Sequence, residues 1–240
     1  MRNQTLFPVK VLLLSILAAL IPVMPISAAT IFWGSSVNDL LFDSTGNPLD
    51  DSFSFEIGTF GTTFNPDDTN KDLWLANWKI LDRVTAPASS GWDSASQFFS
   101  SSFTILPDGT SSRGVDIGTN FVFSEGEQAF IWVFNTQDLD VGTEWALVTN
   151  GPTDGSTTND WIIPPLPDIC GCNPGGDSLE WRLSTATQPD FGGINDIDGP
   201  GNVTDTPPSY SLQTATLPEP GSSFLILTAG LLFRLRRRRP

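Results

Sequence analysis

The sequence predicts an all-β domain of the β-sandwich or jelly-roll kind with one short amphipathic helix, flanked by an N-terminal signal segment and a C-terminal hydrophobic helix. Three observations predict it. Short stretches of alternating apolar and polar residues recur along the body, and that alternation is the period of a half-buried strand. The segments between them are rich in Gly, Pro, Asn and Asp, the residues of tight turns. The 17 Phe and 8 Trp supply large apolar side chains for a core, which excludes a wholly disordered chain.

The elements follow in chain order. Arg2 and Lys10 form a positive region, residues 11–21 are an apolar run, and Pro22 and Pro25 break it. Ser27 and Ala29 place small residues where a signal peptidase needs them, predicting cleavage between Ala29 and Thr30. An uncleaved anchor is the alternative, although the run is short for a spanning helix. In residues 53–60, Phe53, Phe55 and Ile57 share one face of a strand. A turn at residues 65–68 leads to Thr69 or Asn70, either of which can cap a helix. Leu73, Trp74, Ala76, Trp78 and Leu81 then recur at helical spacing, predicting a helix from residue 71 to about 81. Trp74 and Trp78, one turn apart, fit a hydrophobic lid on a sheet better than a sugar platform. Further strands are predicted at 97–105, 120–123, 128–135, 144–149, 161–163, 178–184 and 210–216. Residues 128–135 (QAFIWVFN) are apolar enough to lie centrally. Residues 196–208 read as a loop before the last strand, and no repeat of fixed period is present.

Charge narrows the function. Outside the two ends, only Lys71, Lys79, Arg83, Arg113 and Arg182 face all 27 acidic residues, so residues 30–233 carry 5 − 27 = −22. Such a body repels phosphates, and nucleic acid is excluded as its partner. Cations, neutral sugars and basic partners remain open. The absence of histidine removes Ser-His-Asp and Cys-His chemistry and imidazole metal sites. Cys170 and Cys172 cannot make a four-ligand zinc site without help. They are a strained redox disulfide, a local staple or two thiols without a role, and so short a loop fits disulfide geometry poorly. Asp68, Asn70 and Asp72 have the D-x-N-x-D spacing of a calcium loop, but Leu73 and Lys79 stand where an EF-hand needs Gly and Glu. Ca²⁺ on hard oxygen ligands and plain turn chemistry are the two readings, with no other cofactor expected. Paired carboxylates could hydrolyse glycosides, yet so acidic a chain pairs carboxylates by chance. The sequence predicts no catalytic activity.

The tail predicts the destination. Pro218-Glu219-Pro220 precedes residues 221–233, which carry no charge, and then Arg234, Arg236, Arg237, Arg238 and Arg239. As a helix the apolar run spans about 20 Å, short of a hydrocarbon core of about 30 Å, so it crosses only with bilayer thinning and snorkelling arginines. The arginines stay cytoplasmic and stop transfer. A permanent tail anchor and a nucleic-acid patch are the rival readings.

The order Pro-Glu-Pro, short apolar helix, arginine cluster resembles the PEP-CTERM sorting signal of Gram-negative bacteria. The resemblance implies an exosortase substrate: an integral-membrane cysteine protease recognises Pro218, Glu219 and Pro220 and cuts at or near them. It implies three parts: a signal peptide at 1–29, an exported domain at 30–217 and the sorting signal at 218–240. The body also resembles a group of uncharacterised PEP-CTERM proteins of Verrucomicrobia-type bacteria. That likeness rests on Gly58-Thr59-Phe60, Trp74, Trp78, residues 131–135, Gly142-Thr143-Glu144-Trp145, Asn159-Asp160-Trp161, Glu180-Trp181-Arg182 and Phe191-Gly192-Gly193, and it brings no activity with it. The expected partners are signal peptidase, an exosortase-like protease, the membrane transiently and extracellular polysaccharide. The expected role is a cell-surface or extracellular-matrix protein. A secreted carbohydrate-binding module or a glycoside-active enzyme is the alternative.

Overall fold

The computed structural model describes residues 30–140, 142–151, 160–166, 178–195, 197–198 and 209–217. The signal residues up to Ala29, the sorting motif, the arginine cluster, Cys170 and Cys172 lie outside them.

The fold is all-β. Its strands are β1 (Thr30–Gly34), β2 (Leu40–Phe42), β3 (Ser54–Thr59), β4 (Lys79–Thr85), β5 (Trp92–Asp93), β6 (Phe98–Thr104) and β7 (Ala129–Phe134), followed by β8 (Glu144–Thr149), β9 (Leu179–Arg182), β10 (Gln188–Phe191), β11 (Gly193–Ile194), β12 (Ile197–Asp198), β13 (Ser211–Gln213) and β14 (Ala215–Thr216). A first sheet has the order β5-β6-β1-β9, with β1 antiparallel to β6 and parallel to β9. A central sheet runs β10-β8-β7-β3-β4, with β14 pairing β8. A third runs β12-β11-β13-β2, closed by a parallel pair between β13 and β2.

The central sheet is buried on both faces, which is why β7 is apolar at every position. Side chains alternate across a strand, so its two faces collect different residues. Ala129, Ile131 and Val133 join Phe55 and Ile57 of β3 and Ala146 and Val148 of β8 in one core. The first sheet supplies Ile31, Trp33, Phe99, Phe103 and Trp181 to that same core. On the opposite face, Phe130, Trp132 and Phe134 join Phe60, Trp74, Trp78 and Trp145 in a second, aromatic cluster.

The predicted helix over 71–81 is corrected. Only a 3₁₀ turn at Lys71–Leu73 and a helix, α1, at Trp74–Asn77 form, and Trp78 is already extended at φ −74°, ψ 126°. Residues 79–85 pair with β3 instead, register by register, with a bulge opposite Ile57 and Gly58. Ordinary alternation sends Ile80 to the aromatic cluster and Leu81 to the main core, and the extra residue at the bulge brings Asp82 to the same side as Leu81, where it meets Trp33. A helix there would leave one edge of β3 without its ladder partners, and buried backbone groups are costly to orphan. Gly58 permits the close pairing, because a Cβ on it would lie 2.4 Å from the Lys79 carbonyl oxygen and 2.7 Å from the Trp78 ring.

Other boundaries shift. The strands predicted at 53–60, 97–105, 128–135, 144–149 and 178–184 form within a residue or two, except that 183–185 turn into a 3₁₀ segment. Residues 120–123 and 161–163 make single bridges, Val122 with Thr110 and Ile162 with Gln128, the residue that leads into β7. Within the predicted loop 196–208, Ile197 and Asp198 pair with β11. The final stretch splits into β13 and β14, which serve different sheets.

Candidate functional site

Among the described residues, two clefts stand out for their polar side chains. The larger, about 950 Å³, lies on the outward face of the first sheet. Alternation builds it. With Ile31 and Trp33 turned into the core, β1 turns Phe32 outward, where it remains 49 % exposed. On β6, Phe99 and Phe103 point inward, leaving Phe98, Ser100 and Ser102 outward. Phe32 stands between Ser102 on β6 and Glu180 on β9, and the small serine leaves one flank of the ring uncovered. The next outward position of β1 is Gly34, where a Cβ would sit 2.4 Å from the Phe99 carbonyl oxygen. The floor of the cleft is therefore backbone. A neighbouring hollow of about 390 Å³ shares Phe98, Ser100, Ser101 and Arg113 and adds Ser89 and Ser90.

The charges of this cleft are already matched. Arg182 and Glu180 pair at 2.7 Å. The Arg113 Nε donates to Asp82 at 3.2 Å, and its Nη1 to Asp116 at 2.9 Å. Asp82 is fully buried and also accepts from Trp33 Nε1 at 2.9 Å. That bond ties the sheet carrying the cleft to the central sheet. Behind the rim, Asp39 accepts from the Ser36 N–H at 2.7 Å. Burial pushes its carboxyl upward, with the Ser36 bond and the Arg182 charge opposing.

The second cleft, about 470 Å³, lies where the turn at 61–66 meets β8 and β10. Glu127 and Asp190 both line it. Glu127 is 3 % exposed and saturated: Lys79 Nζ donates at 2.9 Å, Ser124 N–H at 3.1 Å and Thr59 Oγ1 at 2.5 Å. Asp190 differs. Its Oδ1 accepts from Gln188 Nε2 at 2.9 Å, while its Oδ2 is buried without a hydrogen-bond partner among the described residues. Burial pushes it up to about 6; the Gln188 bond works against this and the negative charge of Asp68 adds to it.

Among the sequence-predicted residues, Thr30 opens β1 and pairs with Thr104 of β6. Asp68, Asn70 and Asp72 occupy the approach to α1, and two of them are engaged internally. Lys71 Nζ sits 3.0 Å from Asp68. Asn70 Oδ1 accepts from the Asp67 N–H at 3.0 Å and from Trp74 Nε1 at 2.8 Å. The strongest acceptor of the turn is Asp67, which takes the Thr69 N–H and hydroxyl and is held below its ordinary range by them. Among the described residues no group of three acidic side chains converges as a metal would require. Trp74 and Trp78 are buried, at 0 % and 6 % exposure, and form a lid rather than a platform.

Sequence reading missed Phe32, Ser100, Ser102 and Asp190. The alternation in TIFWG and in FFSSSFT carried the signal for the first three. No family model, curated protein or solved structure matches this chain.

Proposed function

We propose that the chain is an exported cell-surface or extracellular-matrix protein without catalysis of its own. In this reading a leader is cut between Ala29 and Thr30, and Pro218-Glu219-Pro220 hands the folded body to an exosortase-type membrane protease. The two sheets that share the main core are read as a β-sandwich. One observation carries the proposal: the body is anchored up to the residue before the motif. Leu217 is 8 % exposed, packs in the aromatic cluster and donates its N–H to the Thr143 carbonyl at 2.9 Å. A cut at or after Pro218 therefore removes none of the described strands. At the other end Thr30 is already in ladder register with Thr104, so the leader cut also spares the sheets.

Mass spectrometry of the natively produced protein tests this. The expected mature form begins at Thr30 and ends close to Pro218. Alanine at positions 218, 219 and 220 should leave the full tail in the membrane fraction. A wild-type chain still ending in RLRRRRP would make it a permanent tail anchor and overturn the proposal.

Asp190 favours a second reading, a glycoside-active site, because a carboxyl pushed up to about 6 by burial and lining the same cleft as Glu127 has the form of an acid and its partner carboxylate. The saturation of Glu127 by Lys79, Thr59 and Ser124 weighs against it. Release of reducing ends from a glycan panel, abolished in Asp190→Asn, would support this reading; no release by wild type would remove it.

A further inference from the structure

We propose that the cleft on the outward face of the first sheet is a binding trough for an extended, uncharged glycan chain. The biological ligand rests on the export reading above; the binding itself does not.

The argument begins with what the trough exposes. Its volume of about 950 Å³ is at the upper end of the roughly 300–1,000 Å³ of ligand sites. The smaller hollow continues it past Arg113 toward β5. Phe32 lies on an interior strand, flanked by paired strands on both sides, yet half of the ring faces solvent. An apolar ring left bare in the middle of a polar sheet face is the informative kind of exposure. Phe98 points outward from the same sheet, four residues along β6 from Ser102, the partner of Phe32. At a rise of about 3.3 Å per residue, that offset is about 13 Å. Between the rings lie Gly34, with no side chain, and Ser100. The surface is thus one exposed ring, Phe32, and one part-buried ring, Phe98, separated by a floor with hydroxyl groups along it.

That pattern matches a sugar chain. The C–H face of a pyranose is apolar and can cover an aromatic ring, while its edge hydroxyls both donate and accept. Serine hydroxyls do the same, so Ser100 and Ser102 can satisfy either sense of a ligand hydroxyl. A protein strand added to the face would instead need an open ladder edge, and β1 has none.

Charge chooses among glycans. Both guanidinium groups at the trough already hold a carboxylate: Arg182 has Glu180, and Arg113 has Asp82 and Asp116. The body around them is strongly acidic. A uronate or sulfate polymer would find its counter-charges taken and a repelling field around them. A neutral chain meets neither obstacle.

The test uses the full chain, purified in a non-glycosidic detergent, and isothermal titration with cellohexaose, xylohexaose and mannohexaose, with polygalacturonate as the acidic arm. At least one neutral hexasaccharide should bind, and Phe32→Ala should weaken it at least tenfold. Phe32 is half exposed, so that variant should keep its melting transition. Ser102→Arg, which fills the space beside the ring, should block the same ligand and is a second check if Phe32→Ala misfolds. Binding that survives both variants, no binding by any neutral hexasaccharide, or preference for polygalacturonate would each overturn the proposal. The tail reading is judged by mature mass alone, so the two can fail separately.

Discussion

The two faces of β7 are both buried but filled differently. The face shared with the first sheet carries Ala129, Ile131 and Val133; the opposite face carries Phe130, Trp132 and Phe134. On the first, a second sheet supplies bulk from the far side, so small and branched residues suffice. On the second, the cover among the described residues is the short α1 with Trp74, the extended Trp78 and Leu217 just before the Pro-Glu-Pro motif. There the rings must be cover and core at once. Trp132 meets Trp145 edge to face at 4.8 Å, Trp78 at 5.5 Å and Trp74 at 6.0 Å. Thin cover makes large residues necessary, and it makes each of them costly to lose.

The sharpest way to break this comparison is Trp132→Ala, expected to cost about 3–5 kcal/mol in urea denaturation. A loss no larger than that of Ile131→Val would show that the aromatic face is not the more demanding one. Next, Trp33→Phe probes the seam between the first and central sheets. It removes the donor to buried Asp82 and should cost about 1.5–3 kcal/mol from that charge-assisted bond, read from the same curves. Phe32→Ala, one residue away and outward, should cost far less.

Asp190 tests the rim of the aromatic face. Its folded pKa, about 6, lies above its unfolded value, so folding takes up a proton. The stabilisation from that proton is complete below about pH 3.9 and is lost as pH rises through 6. Asp190→Asn should therefore gain on the order of 1–2 kcal/mol at pH 7–8, with partial exposure discounted. The gain should vanish by pH 4. Melting scans across that window check it, and a gain constant with pH would remove the burial argument. The smallest effect expected is that of Ile131→Val on the sandwiched face, about 0.5–1.5 kcal/mol.

Local pattern made much of the β architecture legible. QAFIWVFN and EWALVT read as strands because each one's burial is written in its own residues. The helix was misread for a specific reason: Trp74 and Trp78 are four apart, as on one helical turn, but a turn of helix followed by extended chain brings both rings to one cluster as well. Alternation could have shown that Phe32, Ser100 and Ser102 face outward, but not that they meet in one trough. Phe32, Ser102 and Glu180 come from three distant segments, and only the register of β1 with β6 and of β1 with β9 sets them side by side. A parallel pairing leaves no turn signature to announce it.

Those parallel pairings also govern when the molecule can form. Both β1 and β2 are made early, yet β1 needs β9 for its second edge and β2 needs β13. Any chain that emerges N-terminus first, from a ribosome or a translocation pore, must hold TIFWG and LLF without full partners until almost everything before Pro218 is out. Closure is then a late event that joins the first strands of the body to its last. A holding chaperone should meet its greasiest client while the chain is nearly complete, and truncations ending before Ser211 should remain captured rather than settle into a smaller domain.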